Sequence, residues 1–138
     1  MADLIFNNFT TDRKYNGIFF KKILEVGAKE AGLEYKKLEL SVNLVGEGRI
    51  KALNKKYRDK NRATDVLSFP LQEKKDAKTR NDDIISLGDI FICLPVAKKY
   101  AVRESVSLDY KLAFLAIHTA EKDKMFSLQN KVINKIEL

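Results

Sequence analysis

One helical segment of this chain is apolar nearly all the way round, and it constrains the fold more than any other feature. It runs from Leu108 to about Thr119, with Ser107 placed to cap its first turn. Its central part, residues 112–117, reads Leu-Ala-Phe-Leu-Ala-Ile and offers no polar face to solvent. A helix of this kind has to be buried, so the other elements must pack around it.

Four segments are predicted to be β-strands because they alternate apolar and polar residues or form short apolar runs between turn signals. They are residues 4–6, 38–45, 66–69 and 87–95, and the alternation at 38–45 predicts a strand with one buried face. Helical periodicity predicts helices between and after these strands. They lie at residues 15–31, in a segment that ends near Arg58, and at residues 96–102. A last helix is predicted to carry Met125, Leu128, Val132 and Ile136 on one face. This order predicts an α+β (mixed α/β) fold, with a small mixed β-sheet flanked by helices in a single domain spanning 1–138.

The sequence argues against a membrane-spanning protein and against a secreted one. No apolar run approaches the roughly 20 residues that a membrane span needs. The N-terminus also lacks the basic-then-apolar layout of a signal peptide, so we expect a cytoplasmic protein with no membrane partner. The single cysteine, Cys93, stands in an apolar run and is expected to be a buried, reduced side chain.

Positive charge is concentrated in one short region. The net charge of +7 favours a polyanionic partner, RNA first, although many basic cytosolic proteins bind no RNA. Ile50, Leu53 and Tyr57 form the apolar stripe of a helix that ends at Arg58, and a charged turn follows. The basic residues of this region are Lys51, Lys55, Lys56, Arg58, Lys60 and Arg62, with Asp59 the one acid among them. Such a cluster is either a solvated helix face or a phosphate-binding surface.

The segment from Leu53 to Pro70, LNKKYRDKNRATDVLSFP, resembles the signature of the YbeY family of bacterial rRNA maturation endoribonucleases. Asn61 stands where the family usually has Asp, and Ala63 stands where it has Pro. LGDIFICLP at residues 87–95 resembles a second family segment, with a cysteine in place of serine.

This resemblance covers roughly residues 40–132 and implies the zincin-like family fold. It also implies an rRNA or small-ribosomal-subunit partner rather than DNA, and Arg58 as the catalytic arginine that holds the scissile phosphate. Under this interpretation the candidate RNA-binding residues are Lys51, Lys55, Lys56, Lys60 and Arg62.

The sequence departs from the family pattern at His118. In the family, the buried helix runs into H-G-x-L-H-L-x-G-x-D-H, whose three histidines form an open site for a zinc-like ion. The resemblance therefore implies zinc as the cofactor. Here His118 is the chain's only histidine, and the part of the motif that carries the other two is missing. His118 would be the sole remaining family metal ligand, so we do not expect zinc to be retained unless Glu121, Asp123 or Cys93 replaces the lost ligands.

Several interpretations stay open at this point. The chain is either a single-strand-specific endoribonuclease acting on small-subunit rRNA with a degenerate metal site, or a catalytically inactive member that binds RNA or the ribosome. His118 is alternatively an ordinary histidine of an apolar helix, and the missing segment is alternatively a deletion confined to this chain. A zinc protease is disfavoured because no H-E-x-x-H occurs.

Overall fold

The structure is a computed structural model that describes residues 3–30, 38–69 and 85–122. These residues form a four-stranded sheet and four helices, which confirms the predicted α+β fold. The predicted last helix, with Met125 to Ile136, lies outside the described residues. The strands are β1 Asp3–Asn8, β2 Leu38–Val45, β3 Val66–Phe69 and β4 Ile85–Cys93. The helices are α1 Gly17–Glu30, α2 Glu47–Arg58, α3 Leu94–Glu104 and α4 Leu108–Lys122.

The sheet is mixed, with strand order β1-β2-β4-β3. β1 pairs with β2 and β2 with β4 in parallel, whereas β3 runs antiparallel to β4. Parallel neighbours need a crossover between them, and α1 and α2 lie in those connections. Within the described residues β3 therefore occupies one edge of the sheet, where its register places Val66 opposite Ile92 and Phe69 opposite Asp89.

The larger hydrophobic cluster joins the sheet to α1, α3 and α4. α4 is buried as its sequence predicts, since its apolar residues at 112, 113, 115, 116 and 117 are each at most 3% exposed. Phe114 and His118 are only partly buried. They lie on an open side of α4, which faces the candidate site. Ser107 caps α4, because its Oγ accepts a hydrogen bond from the backbone N–H of Tyr110 at 3.0 Å.

A second, smaller cluster lies under α2, and it corrects the prediction that β2 has one solvent-exposed face. Val45 is fully buried against Ile50 and Cys93, so the end of β2 is covered on both faces. Asn43 is also only 5% exposed. Its side-chain amide donates to the carbonyl oxygen of Ile90 at 3.2 Å, which satisfies a polar group that burial would otherwise penalise. Among the described residues, no helix has both the length and the apolar character to cross a membrane.

Candidate functional site

A cleft of about 360 Å³ opens between β3, the end of α2 and the open side of α4. Arg58 lines it from α2 and His118 lines it from α4. The two residues singled out from separate sequence segments therefore lie on the walls of one cleft. The residues that line it are Arg58, Asp65, Val66, Leu67, Ser68, Lys111, Phe114, Leu115, His118 and Thr119.

The end of α2 is fixed by local backbone geometry. Asp59 adopts the left-handed conformation with φ 59°, and its N–H donates to the carbonyl oxygen of Asn54. The Asn54 side chain, itself buried, donates to the carbonyl oxygen of Arg62 at 3.0 Å. The charged turn is thereby tied back to the helix it follows. Arg58, the last residue of α2, thus projects from a defined position.

The Arg58 guanidinium lies against β3. Its Nη2 donates to the carbonyl oxygen of Ser68 at 2.7 Å, and its Cζ lies 5.0 Å from the centroid of the Phe69 ring. The residue is nevertheless exposed. A guanidinium has five N–H donors, so a group oriented by these two contacts keeps donors for a phosphate or carboxylate.

The other basic residues of this region surround the same helix end. Lys51, Lys55 and Arg58 stand at i, i+4 and i+7, so they share one face of α2. Lys56 projects on another side, where its Nζ lies 5.2 Å from the centroid of the Tyr57 ring. Lys60 and Arg62 follow in the turn, and all six basic residues are exposed. Of these six basic residues, Arg58 lines the cleft, whereas the other five lie on α2 and in the turn that follows it and do not line the cleft.

His118 lies on the open side of α4, partly buried. Its ring stacks parallel to the Phe114 ring, with centroids 5.5 Å apart and an interplanar angle of 5°. α4 continues to Lys122, so the residue one helical turn beyond His118, at i+4, is a lysine rather than a second histidine.

Lys111 is a cleft residue that the sequence analysis missed. Its side chain is 7% exposed, and its Nζ lies 3.1 and 3.2 Å from the two carboxylate oxygens of Glu104. Asp65 Oδ2 lies 3.9 Å from the same Nζ. Lys111 precedes His118 by seven residues, two helical turns, and so shares its face of α4. The sequence did carry a signal for this residue, because Lys111 is a charged residue that directly precedes the apolar run 112–117 of α4.

The described residues do not fit a zinc ion. Residues 3–30, 38–69 and 85–122 contain no group of three His, Cys, Asp or Glu side chains that could hold a metal. Cys93 is no replacement ligand, because it belongs to the buried cluster under α2, where burial raises the pKa of its thiol. The side chain of Glu121 and all of Asp123 lie outside the described residues. In the cleft lining the Lys111 ammonium is paired with Glu104 and Asp65, whereas the exposed Arg58 guanidinium keeps donors for an anion.

The fold and the cleft together define a small α+β protein in which a helix-end arginine and the histidine of a buried helix line one cleft. A family model described as Endoribonuclease YbeY matches residues 6–120, a range that includes every cleft residue. The chain belongs to the YbeY family.

Two relatives illustrate the extent of the match. A protein of Macrococcus caseolyticus named Endoribonuclease YbeY is 31% identical over 149 positions, covering 99% of this chain and 96% of the relative. One of Acholeplasma laidlawii with the same name is 33% identical over 143 positions, covering 95% and 96%. Both alignments are longer than the 138 residues of this chain, so these relatives have residues with no counterpart here.

The fold is shared with a solved structure. The solution structure of TM1509 from Thermotoga maritima superimposes with a TM-score of 0.64 at 24% sequence identity. The match covers 96% of this chain and 85% of the other, which places both chains in one fold.

Proposed function

We propose that this protein acts in the maturation of small-subunit rRNA, in the cytoplasm, by binding single-stranded rRNA at the cleft. The observation that carries the proposal is that Arg58 and His118 line one cleft beside the cluster of exposed cations around the end of α2. Membership of a family whose relatives are named endoribonucleases supports RNA as the ligand.

In this proposal Arg58 holds a backbone phosphate. A guanidinium can donate two parallel hydrogen bonds to phosphate oxygens, and it stays charged at any pH the protein meets. The contacts with Ser68 and Phe69 orient the group before the ligand arrives, so less side-chain freedom is lost on binding. Arg58 would also stabilise negative charge that develops at the phosphate during cleavage.

The exposed cations supply the sequence-independent part of the binding. Each lysine or arginine that neutralises a phosphate releases condensed counterions, and this release drives association with RNA. Its strength depends on how many of the cations reach phosphates at once. The cations assigned this role are Lys51, Lys55, Lys56, Lys60 and Arg62.

Two versions of the function remain, and different observations favour them. The name of the relatives and the pairing of Arg58 with His118 in one cleft favour endonucleolytic cleavage, with the imidazole moving a proton. The lack of a three-ligand group among the described residues favours the second candidate, a family member that binds rRNA or the ribosome without cutting it. No catalytic step through zinc is derived for this chain.

One experiment tests the proposal and separates the two versions. A labelled single-stranded fragment of small-subunit rRNA is titrated with wild type, Arg58→Ala and His118→Ala, and binding is followed by fluorescence anisotropy. Arg58→Ala should weaken binding about 10- to 100-fold, since a hydrogen bond to a charged group contributes about 1.5–3 kcal/mol. Arg103→Ala is the matched control, because Arg103 is also exposed and also lies over a ring, that of Tyr100 at 5.1 Å.

Gel analysis of the same samples, with and without added zinc, separates cleavage from binding. Fragments formed by wild type but not by His118→Ala identify a nuclease, whereas intact RNA throughout identifies a binding protein. Equal affinity of wild type and Arg58→Ala would overturn the proposal.

A further inference from the structure

Tyr57 presents a large aromatic ring to solvent at the end of α2. It continues the apolar stripe begun by Ile50 and Leu53, yet it is 52% exposed. The other tyrosines of the described residues, at positions 15, 100 and 110, are buried or partly buried. Half of the Tyr57 side chain is therefore available to a ligand at the helix end that carries Arg58.

Neighbouring aromatic rings hold the Tyr57 ring in place. It meets the Phe69 ring edge to face, with centroids 5.2 Å apart and an interplanar angle of 71°. Phe69 in turn meets Phe91 edge to face at 5.8 Å, and Phe91 packs on the cluster under α2. A ring supported in this way loses little conformational freedom when a ligand stacks on it.

Two cations lie against these aromatic rings. Lys56 Nζ lies 5.2 Å from the centroid of the Tyr57 ring, and Arg58 Cζ lies 5.0 Å from that of Phe69. Proteins hold single-stranded nucleic acids by combining cations that follow the phosphates with aromatic rings on which the bases stack. The end of α2 has both components within three consecutive residues.

We infer that Tyr57 forms a stacking site for a nucleobase of single-stranded RNA, next to the phosphate held by Arg58. This inference rests on the proposed RNA-binding function and adds a specific subsite to it. A base within a duplex is stacked between its neighbours and cannot present its face to a side chain, so this site selects unpaired RNA. Tyr57 would then contribute to strand selection, a property that backbone cations alone do not provide.

The test compares two probes with the same backbone charge. One is a short single-stranded 2′-O-methyl RNA of mixed sequence, and the other is the same strand with abasic residues in place of its nucleotides. Tyr57→Leu removes the ring but keeps an apolar cover over Phe69, and Tyr57→Phe keeps the ring. Phe9→Leu is the matched control, because Phe9 is 51% exposed and has a cation over its ring, Arg49 at 4.6 Å, at the other end of α2.

Stacking predicts a defined pattern of affinities. Wild type should bind the base-bearing probe about 5- to 100-fold more tightly than the abasic probe. Tyr57→Leu should lose that preference while its affinity for the abasic probe stays unchanged. Tyr57→Phe and Phe9→Leu should behave like wild type, and thermal unfolding of each variant establishes that it is folded.

The two proposals fail in different ways. Equal binding of both probes by wild type, or a preference that survives Tyr57→Leu, overturns the stacking site and leaves the proposed function intact. A loss of preference in Phe9→Leu equal to that in Tyr57→Leu also overturns it. If wild type binds neither probe, the RNA-binding function itself fails, and the stacking site fails with it.

Discussion

Arg58 is an exposed residue whose shortest contacts are the hydrogen bond to the Ser68 carbonyl oxygen and the contact with the Phe69 ring, with a longer hydrogen bond to the neighbouring Tyr57 carbonyl oxygen at 3.4 Å. We expect Arg58→Ala to lower the free energy of unfolding by about 1–2 kcal/mol, as the loss of one hydrogen bond and one exposed cation–π contact predicts. Urea unfolding measures this. A loss above about 3 kcal/mol would show that Arg58 belongs to a structural network rather than to a binding site.

Lys111 differs from Arg58 because it is buried and paired. We expect Lys111→Met to lower the free energy of unfolding by about 1–3 kcal/mol. Methionine fills the space of the lysine stem and water can solvate the half-exposed Glu104, but the mostly buried Asp65 loses the ammonium 3.9 Å from it. Lys111→Ala should cost about 2 kcal/mol more, because it leaves a cavity. Urea unfolding of both variants tests this. Equal losses above about 3 kcal/mol would show that the ammonium, not its stem, stabilises the cleft wall.

Arg58, His118 and Lys111 differ in how far their place in the cleft could be predicted from the sequence. Arg58 and His118 were identified because each lies in or beside a motif. Lys111 was not, because its partners Asp65 and Glu104 come from two other segments, and only tertiary packing brings them to α4.

Among the elements, α3 ends in a strained conformation. Ser105 adopts a left-handed backbone with φ 58°, while its N–H donates to the carbonyl oxygens of the last helical turn. Glycine adopts this conformation without the steric cost of a Cβ. We expect Ser105→Gly to raise the free energy of unfolding by about 0.5–1 kcal/mol and Ser105→Ala to give no gain. If chemical denaturation shows Ser105→Gly to be no more stable than Ser105→Ala, the backbone at this cap is not what limits stability.

The basic end of α2 predicts a particular salt dependence of RNA binding. Each phosphate contact on a single strand contributes about −0.7 to the slope of log K against log salt. Replacing Lys55 and Lys56 by alanine should therefore flatten the slope by up to about 1.4. Lys21→Ala with Lys22→Ala is the matched control, since it removes two adjacent exposed lysines from α1. Equal slopes for wild type and the α2 pair would identify these lysines as a solvated helix face.

The elements themselves were largely predictable, because periodicity and turn residues are local signals. The last residue of α2 and both ends of β3 were predicted where the structure has them. The burial of β2 was not predictable in this way. Its second face is covered because α2 packs across the end of the sheet. The alternation of apolar and polar residues within β2 contains no information about that packing.

For the whole molecule, the main prediction concerns the metal. Protein purified without added metal and dialysed should hold well under one zinc per chain, because a single imidazole provides one of the three protein ligands that an open zinc site needs. Elemental analysis by mass spectrometry measures this. One retained zinc per chain would show that ligands outside the described residues complete a site with His118.

The cleft is a property of the topology, which is why sequence analysis predicted two of its residues, Arg58 and His118, but neither its shape nor the remaining residues that line it. Among the described strands, the order β1-β2-β4-β3 places β3 at an edge of the sheet, beside the end of α2 and the open side of α4. Because of that order, Arg58 and His118 line the same cleft although they are 60 positions apart in the sequence. The two residues were assigned to one site from a family resemblance, since nothing local to either segment indicates the other.

The central claim is that single-stranded RNA occupies the cleft between Arg58 and His118, and the single histidine offers a direct test. The imidazole ring protons of His118 give one resolvable set of NMR signals in a chain with no other histidine. On titration with a short single-stranded 2′-O-methyl RNA, these signals should shift progressively and saturate. The RNA concentration at the titration midpoint should rise about 10- to 100-fold in Arg58→Ala and stay unchanged in Arg103→Ala. Backbone amide signals that report RNA binding while the His118 ring signals stay unmoved would contradict the account, because the RNA would then lie elsewhere on the protein.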